Sequence, residues 1–284
     1  MANTQNLTLI IILIVAASLL LLGSCLFVVT MSIIKWDFSV LGVKNVTNEH
    51  ALSENFSSIS VNTDTANVTV LPSPDGACRV ICVEREKEIH TVSLTDGTLN
   101  IQLTDTREWY DHISIFSRPT SITLYLPRSE YDSVCIKADT GDIKVEDISV
   151  GTLNICVSTG DVSAKSVSSD GEVSVGVTTG DACLTDLTCK NLTSSGSTGN
   201  ITLKSVRASD SISLKRSTGD VTFDGCDATA LTVKTSTGNV RGSLLTEKIF
   251  SVKTSTGKVS VPDGTSGGTF DATTSTGDII IEIK

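Results

Sequence analysis

The chain has 284 residues and a formal net charge of −10. An acidic surface repels phosphate backbones, so nucleic acid is excluded as an expected partner. Aromatic residues make up only 4% of the chain, and the abundance of Thr, Ser, Val and Gly predicts many short strands, joined by tight turns, around a thin aliphatic core.

The first predicted element is a membrane-spanning helix. Residues 7–34 contain no charged side chain. At about 1.5 Å per residue, a helix of this length exceeds the roughly 30 Å hydrocarbon layer. The run is too long for a secretory signal, and no Lys or Arg precedes it. A lipoprotein signal ending at Cys25 is a weaker alternative, because residues 26–34 stay apolar. Residues 1–36 are therefore predicted to be an anchor that contacts the lipid bilayer through residues 7–34.

The orientation of this anchor has two competing signals. Lys35 and Lys44 follow the helix and nothing basic precedes it, which favours a cytoplasmic domain. Long domains translocate despite such charges, so we expect a single-pass membrane protein with its large domain outside the cytoplasm. Cys78 and Cys82 lie about 13 Å apart on a predicted strand, too far to bridge. No disulfide framework is evident, and free thiols fit the cytoplasm or the outer face of an anaerobe.

An irregular part of the chain comes next. We predict a linker over residues 37–58 and an irregular β cap over residues 59–130. Residues 105–119 hold several aromatic and basic side chains, which are typical of interface anchors. The candidate partner contacts are Arg107, Trp109, Tyr110, His112 and Phe116. Alternatively, Trp109 and Phe116 plug the open end of the fold.

Residues 131–284 are a regular repeat. A Gly preceded by Thr recurs in steps of 19 or 20 residues. These predicted turn residues are Gly141, Gly160, Gly180, Gly199, Gly219, Gly238, Gly257 and Gly277. Apolar residues recur seven and five positions before each glycine and two and four after it, which predicts two strands per repeat with one buried face. Glycine accepts the positive φ of the turn, and the Asp or Asn that usually follows can bond its own backbone.

Stacking of these repeats defines the predicted fold class. We expect an all-β, right-handed parallel β-solenoid of ~20-residue coils, preceded by one N-terminal transmembrane helix. An antiparallel meander is the alternative. The meander does not require both strands to keep the same register over eight copies, so the solenoid is favoured.

No catalytic, cofactor-binding or metal site is predicted. Stacked carboxylates after the glycines suggest calcium, but Asn and Lys interrupt the row and the nonapeptide calcium pattern is absent, so turn capping is favoured. No repeat carries a large insertion that would build a carbohydrate-cleaving groove. The histidines have no metal-ligand spacing with one another or with Cys78 and Cys82.

The chain ends on a predicted strand, IIIEIK, with no evident cap. An uncovered strand edge invites pairing with another chain, so a homo-oligomer through the C-terminal edge is a possible assembly. Glu282 and Lys284 are the alternative, as a deterrent to such pairing.

The apolar helix, the STGD, STGN and STGK turns and the Val-x-Val strands resemble the bacterial "putative adhesin" β-strand-repeat domain family. This is a domain of unknown function that includes LiaG-like membrane-anchored proteins linked to cell-envelope stress. The resemblance covers roughly residues 59–284. It implies a β-solenoid at the cell surface, without established catalysis and without defined functional residues.

The expected function is therefore non-enzymatic. The domain would serve adhesion or cell-envelope-associated binding of an unknown protein or glycan, without a cofactor. A membrane-tethered cytoplasmic scaffold or regulator is the alternative, and a polysaccharide-active β-helix is the least favoured hypothesis.

Overall fold

The computed structural model describes residues 2–33, 35–36, 45–106 and 119–284. The chain divides into two compact units, one with the N-terminal helix and one with every described strand. The candidate contacts Arg107, Trp109, Tyr110, His112 and Phe116 lie outside the described residues.

The N-terminal helix, α1, runs over Ala2–Ile33. Its segment Leu9–Ile33 has a mean hydropathy of 2.9, and it is long and apolar enough to cross a membrane, as a signal sequence also can be. Large apolar side chains along this segment are exposed, including Leu20 and Leu21. A helix that is apolar all round is typical of a membrane span, so the helix fits the predicted anchor.

The second unit is all-β. Its first seven strands are β1 Asn45–Leu52, β2 Ser58–Thr65, β3 Asn67–Pro72, β4 Cys78–Arg85, β5 Glu88–Thr95, β6 Thr98–Asp105 and β7 Ser121–Leu126. The next seven are β8 Glu130–Thr140, β9 Ile143–Thr159, β10 Val162–Ser169, β11 Glu172–Thr179, β12 Ala182–Thr198, β13 Ile201–Lys204 and β14 Arg207–Thr218. The last are β15 Val221–Cys226, β16 Ala230–Lys234, β17 Val240–Leu244, β18 Lys248–Thr256, β19 Val259–Ser260, β20 Gly268–Thr276 and β21 Ile279–Ile283.

The strands stack in parallel, one repeat upon the next. Val134 pairs with Leu153, Leu153 with Val173 and Val173 with Leu192, so equivalent residues of successive repeats are direct neighbours. The side chains of this row are buried. Parallel pairing in register rules out the meander and supports the solenoid, while right-handed coiling stays a prediction.

Each regular coil has three straight segments, whereas the sequence predicted two. The added corner lies six residues after the glycine, where Asp147, Ser166, Asp186 and Ser205 have φ between 51° and 61°. The residue after each corner, such as Val167 or Leu187, points into the core. A single residue in the left-handed region bends the chain and shifts the apolar alternation by one residue, from Val162 and Ala164 before the corner to Val167 after it. The predicted strands ended four residues after the glycine, so this third segment was not separated.

The coils at the C-terminal end do not stack in chain order. Strand β20 pairs with β16 on one side and with β18 on the other. The last repeat therefore lies between the two that precede it in sequence. The expectation that IIIEIK forms the free edge is only partly right, because β21 pairs with β17 along its length and with β19 at Ile279 and Ile280 alone. Among the described strands, β18 and β19 each pair with a neighbouring coil on one side only and form the outer edge of this end.

The opposite end shows a similar exchange. Strand β2 pairs with both β6 and β8, so the coil of β6 and β7 lies outside the coil of β2 and β3. The hairpin strands β5 and β4 then cover β6 and β7 in antiparallel pairing, and β1 pairs antiparallel with β4. The predicted linker over residues 37–58 thus contains a strand. No residue of β1 is fully buried, which is why its sequence shows no clear apolar alternation.

Candidate functional site

A ladder of hydrogen bonds runs along the Thr-Gly corners. In all coils but the outermost, Oδ1 of the Asp or Asn at the corner accepts a hydrogen bond from the backbone N–H of the equivalent residue in the next coil, at 2.7 to 2.9 Å. This residue follows the turn glycine, or Ala66 in the case of Asn67. The order along the ladder is Asn67, Asp142, Asp161, Asp181, Asn200, Asp220, Asn239, Asp278 and Lys258. Lys258 only donates its N–H, because its coil is the outermost and no further coil needs an acceptor. The side chains of this row therefore join neighbouring coils.

The glycines stack directly upon one another. All eight turn glycines have φ between +120° and +153°. A Cβ on Gly199 would lie 2.0 Å from the carbonyl oxygen of Gly180, and one on Gly219 would lie 1.9 Å from that of Gly199. The corner thus requires glycine twice, for its backbone conformation and for the close approach of the next coil.

The cysteines fall into a surface set and a buried set, and all eight are free. Cys156 is exposed, and Cys135 and Cys183 are half-buried. Burial raises the pKa of the Cys78 and Cys189 thiols to about 11. Since the thiolate is the reactive form, reactivity toward solutes is concentrated at Cys156.

A buried polar cluster lies at the N-terminal end of the stack. Alternation along β4 and β5 turns Cys82, Glu84 and His90 inward, and their exposed fractions are 0%, 0% and 4%. His90 Nδ1 lies 2.8 Å from Glu84 Oε2, and the backbone N–H of His90 donates to the same oxygen at 2.7 Å. One ligand atom each of Cys82, Glu84 and His90 lie within 4.8 Å of one another, so these three residues could hold a metal ion.

Two further side chains support this cluster. Thr63 Oγ1 lies 2.9 Å from His90 Nε2, and Asn48 Nδ2 donates to Glu84 Oε1 at 2.6 Å. Burial, and then the charge of Glu84, raise the pKa of the Cys82 thiol to about 12. No ligand spacing along the chain indicates this cluster, because its residues and their supports come from four different strands. The available signal was Glu84, a carboxylate in phase with Val80 and Cys82 on an otherwise apolar strand face.

A second buried polar group lies in the middle of the stack. Arg216 occupies an inward row position and is 2% exposed. Its Nη1 donates to the carbonyl oxygen of Val177, two coils away, at 2.7 Å. The guanidinium passes over Gly196, where an added Cβ would lie 1.6 Å from Nη1. Its Nε and Nη2 have no hydrogen-bond partner among the described residues, and burial lowers its pKa.

Comparisons with known proteins agree with this fold. The profile of the Toastrack DUF4097 family matches residues 56–284. A "putative adhesin" from Bacteroides fragilis NCTC 9343 aligns with a TM-score of 0.50 at 16% identity, covering 84% of this chain and 97% of that one. Two proteins from Parabacteroides distasonis ATCC 8503 also align, each at 12% identity: a "putative adhesin" (TM-score 0.42, covering 84% and 99%) and a "putative lipid binding protein" (0.39, covering 85% and 98%).

At these identities, likeness to a solved structure shows the fold alone, and no curated protein matches the chain. The family profile covers most of the chain, and it confirms the resemblance predicted from the turns and strands. The chain therefore belongs to the Toastrack DUF4097 family.

Proposed function

We propose that this protein is a non-enzymatic, membrane-anchored adhesin-type scaffold. It displays a right-handed β-solenoid at the bacterial cell surface for adhesion or cell-envelope-associated binding. The observation that carries the proposal is the apolar helix Leu9–Ile33, which precedes a family domain of the same fold as a protein named "putative adhesin".

The stacked coils suit a display role. Equivalent side chains of successive coils lie about 4.8 Å apart, so each outward position becomes a straight row of Ser, Thr, Lys or Asp. Backbone pairing and the corner ladder hold these rows in place. A partner then meets a surface that is already ordered, which lowers the entropy lost on binding.

The partner contact is assigned to residues 107–118. These residues connect β6 to β7, where the regular coils carry only a Thr-Gly corner. Trp109 and Tyr110 are the residue types that anchor interfaces. Arg107, His112 and Phe116 complete the proposed contact.

The contact proposal is tested by attachment of displaying cells to immobilised cell-wall glycan. Combined Trp109→Ala and Tyr110→Ala substitution should reduce attachment about 30-fold or more, the effect of losing an interface anchor of roughly 2 kcal/mol. Ile89→Ala, an exposed apolar substitution on β5, is the control and should leave attachment unchanged. Full attachment by the folded double variant would remove this segment from the contact.

A cytoplasmic scaffold is the second candidate. It is favoured by Lys35 immediately after the helix and by the eight free cysteines, because reduced thiols are usual in the cytoplasm. The two candidates place Cys156 on opposite sides of the membrane, so a topology measurement separates them.

A further inference from the structure

The Cys82–Glu84–His90 cluster departs from the apolar packing of the coils. Inward positions of the neighbouring coils are filled by aliphatic residues such as Val61, Leu99 and Ile101. Here a carboxylate and an imidazole are buried instead. Buried carboxylates require strong compensation, because transfer of their charge out of water is costly.

We propose that Cys82, Glu84 and His90 bind one zinc-class divalent metal ion. A thiolate, an imidazole and a carboxylate form a donor set that suits zinc and excludes calcium and magnesium, which prefer oxygen ligands alone. The three ligand atoms lie within 4.8 Å of one another in the protein, so small side-chain movements bring them to a common ion. This site is independent of the proposed adhesion.

The surroundings have the features of a second coordination shell. In metal sites, the ligating histidine usually hydrogen-bonds through its other nitrogen, and ligating carboxylates are themselves hydrogen-bonded. Thr63 Oγ1 lies against His90 Nε2, and Asn48 holds the second oxygen of Glu84. The nitrogen and oxygen that face each other, His90 Nδ1 and Glu84 Oε2, are those left to ligate the ion.

The hydrogen bonds allow both the empty and the loaded state. In one tautomer of the neutral ring, Nδ1–H donates to Glu84 and Nε2 accepts from the Thr63 hydroxyl. A metal ion on Nδ1 would require the other tautomer, in which Nε2–H donates a hydrogen bond to Thr63 Oγ1. A hydroxyl serves either arrangement, since it is both donor and acceptor.

The balance of charges around the cluster also favours a bound divalent ion. Arg85, next to the cluster, pairs with Glu88 at 2.5 Å rather than with Glu84. A divalent ion would neutralise the carboxylate of Glu84 and the thiolate of Cys82 together. The thiol proton is released to water when the sulfur–metal bond forms. The ion would thereby link β4 to β5 and fasten the hairpin that covers this end of the stack.

The test is cobalt(II) titration of the full-length chain, purified in detergent and stripped of metal with a chelator. One equivalent of cobalt should give a near-ultraviolet thiolate-to-cobalt charge-transfer band, and zinc should displace it. Cys82→Ser should abolish the band. Cys78→Ser, a matched change at another buried cysteine on the same strand, should keep it.

Two conservative variants extend the test. Glu84→Gln should weaken cobalt binding more than 100-fold. Thr63→Val should keep the band but weaken binding about 10- to 100-fold, because Thr63 hydrogen-bonds the ring nitrogen of His90 that does not ligate the ion. Absence of the band in the folded wild-type chain, or its persistence in Cys82→Ser, would overturn the proposal. The wild-type result is decisive even if a variant fails to fold.

Discussion

The corner glycines are set by two separate constraints. Gly199 has a φ of +120° and is also overlapped by the carbonyl of Gly180 in the neighbouring coil. Gly76 has a φ of +77°, yet an added Cβ there would meet nothing within 4 Å. Gly76 therefore carries only the backbone constraint of a left-handed turn, whereas Gly199 combines a φ that is almost exclusive to glycine with the overlap from the next coil.

We predict that Gly199→Ala lowers the free energy of unfolding by about 2–4 kcal/mol, from the disallowed φ together with the steric clash. Gly76→Ala should cost only about 1 kcal/mol, because just the backbone term applies. Chemical denaturation of both full-length variants in detergent measures the difference. Equal losses would show that stacking does not constrain the corner.

The ladder of hydrogen bonds at the corners leads to a second prediction about a single residue. Asp181 Oδ1 accepts the N–H of Asn200, and an Asn side chain offers the same oxygen. Both substitutions remove the charge that Asp181 places near the buried Arg216. Asp181→Asn keeps the acceptor oxygen, so Asp181→Ala should cost roughly 0.5–1 kcal/mol more than Asp181→Asn for the lost exposed hydrogen bond. Lys258→Ala is the control without effect, since no coil depends on that side chain. If Asp181→Asn lost as much as Asp181→Ala, the charge and not the acceptor oxygen would be the relevant property.

Much of the structure at the scale of single residues could be predicted from the sequence. The buried apolar positions and the turn glycines follow from the 19- or 20-residue period. Every coil packs against its neighbours in the same way, so the same residue types recur at the same positions. The cluster of Cys82, Glu84 and His90 could not be predicted. Its members meet only because of the hairpin register and the exchange of coils at that end. Neither feature produces a repeating pattern in the sequence.

At the scale of elements, the order of the coils is the main departure from expectation. Coils stacked in chain order are the natural assumption for a solenoid. The inward residues do not distinguish the two orders, since Phe250 and Phe270 occupy equivalent positions and their rings pack at 5.5 Å. The one signal was Lys258. A residue without an acceptor oxygen can stand only at the end of the ladder, and this marks its coil as the outermost.

Engineered disulfides test this order. Thr232 is paired with Asp271, and Asp271 with Ser251, so Thr232 and Ser251 are two coils apart. The double variant Thr232→Cys with Asp271→Cys should form a disulfide under mild oxidation. Thr232→Cys with Ser251→Cys should not, because the backbones lie about 9–10 Å apart across two strand spacings. Peptide mass mapping distinguishes the products, and the reverse result would restore chain order.

At the scale of the whole molecule, the two ends of the solenoid differ. The first end finishes in the antiparallel strands β4, β5 and β1, with β1 paired to β4 alone. The other end finishes in the parallel strands β18 and β19, each paired to a neighbouring coil on one side only among the described strands. Ile249 and Val259 at this edge are 48% and 43% exposed. Lys253 and Lys258 flank them and oppose close approach of a second copy, as edge lysines commonly do.

We propose that any self-association uses this edge and not the final strand. The full-length chain in detergent should then show concentration-dependent dimerisation in sedimentation experiments. Ile249→Lys should weaken the dimer at least 10-fold, whereas Ile280→Lys on the paired strand β21 should have a smaller effect. A wild-type chain that stays monomeric at high concentration would show that the edge lysines are sufficient protection.

Display outside the cell is the central claim, and Cys156 allows a direct measurement. Intact cells that carry the full-length chain are treated with a membrane-impermeant maleimide. Cys156 is exposed, whereas Cys78, Cys82, Cys189 and Cys226 are buried. We predict labelling of intact cells that falls sharply in Cys156→Ser and persists in Cys226→Ser. Labelling that occurs only after lysis would place the solenoid in the cytoplasm and contradict the surface role.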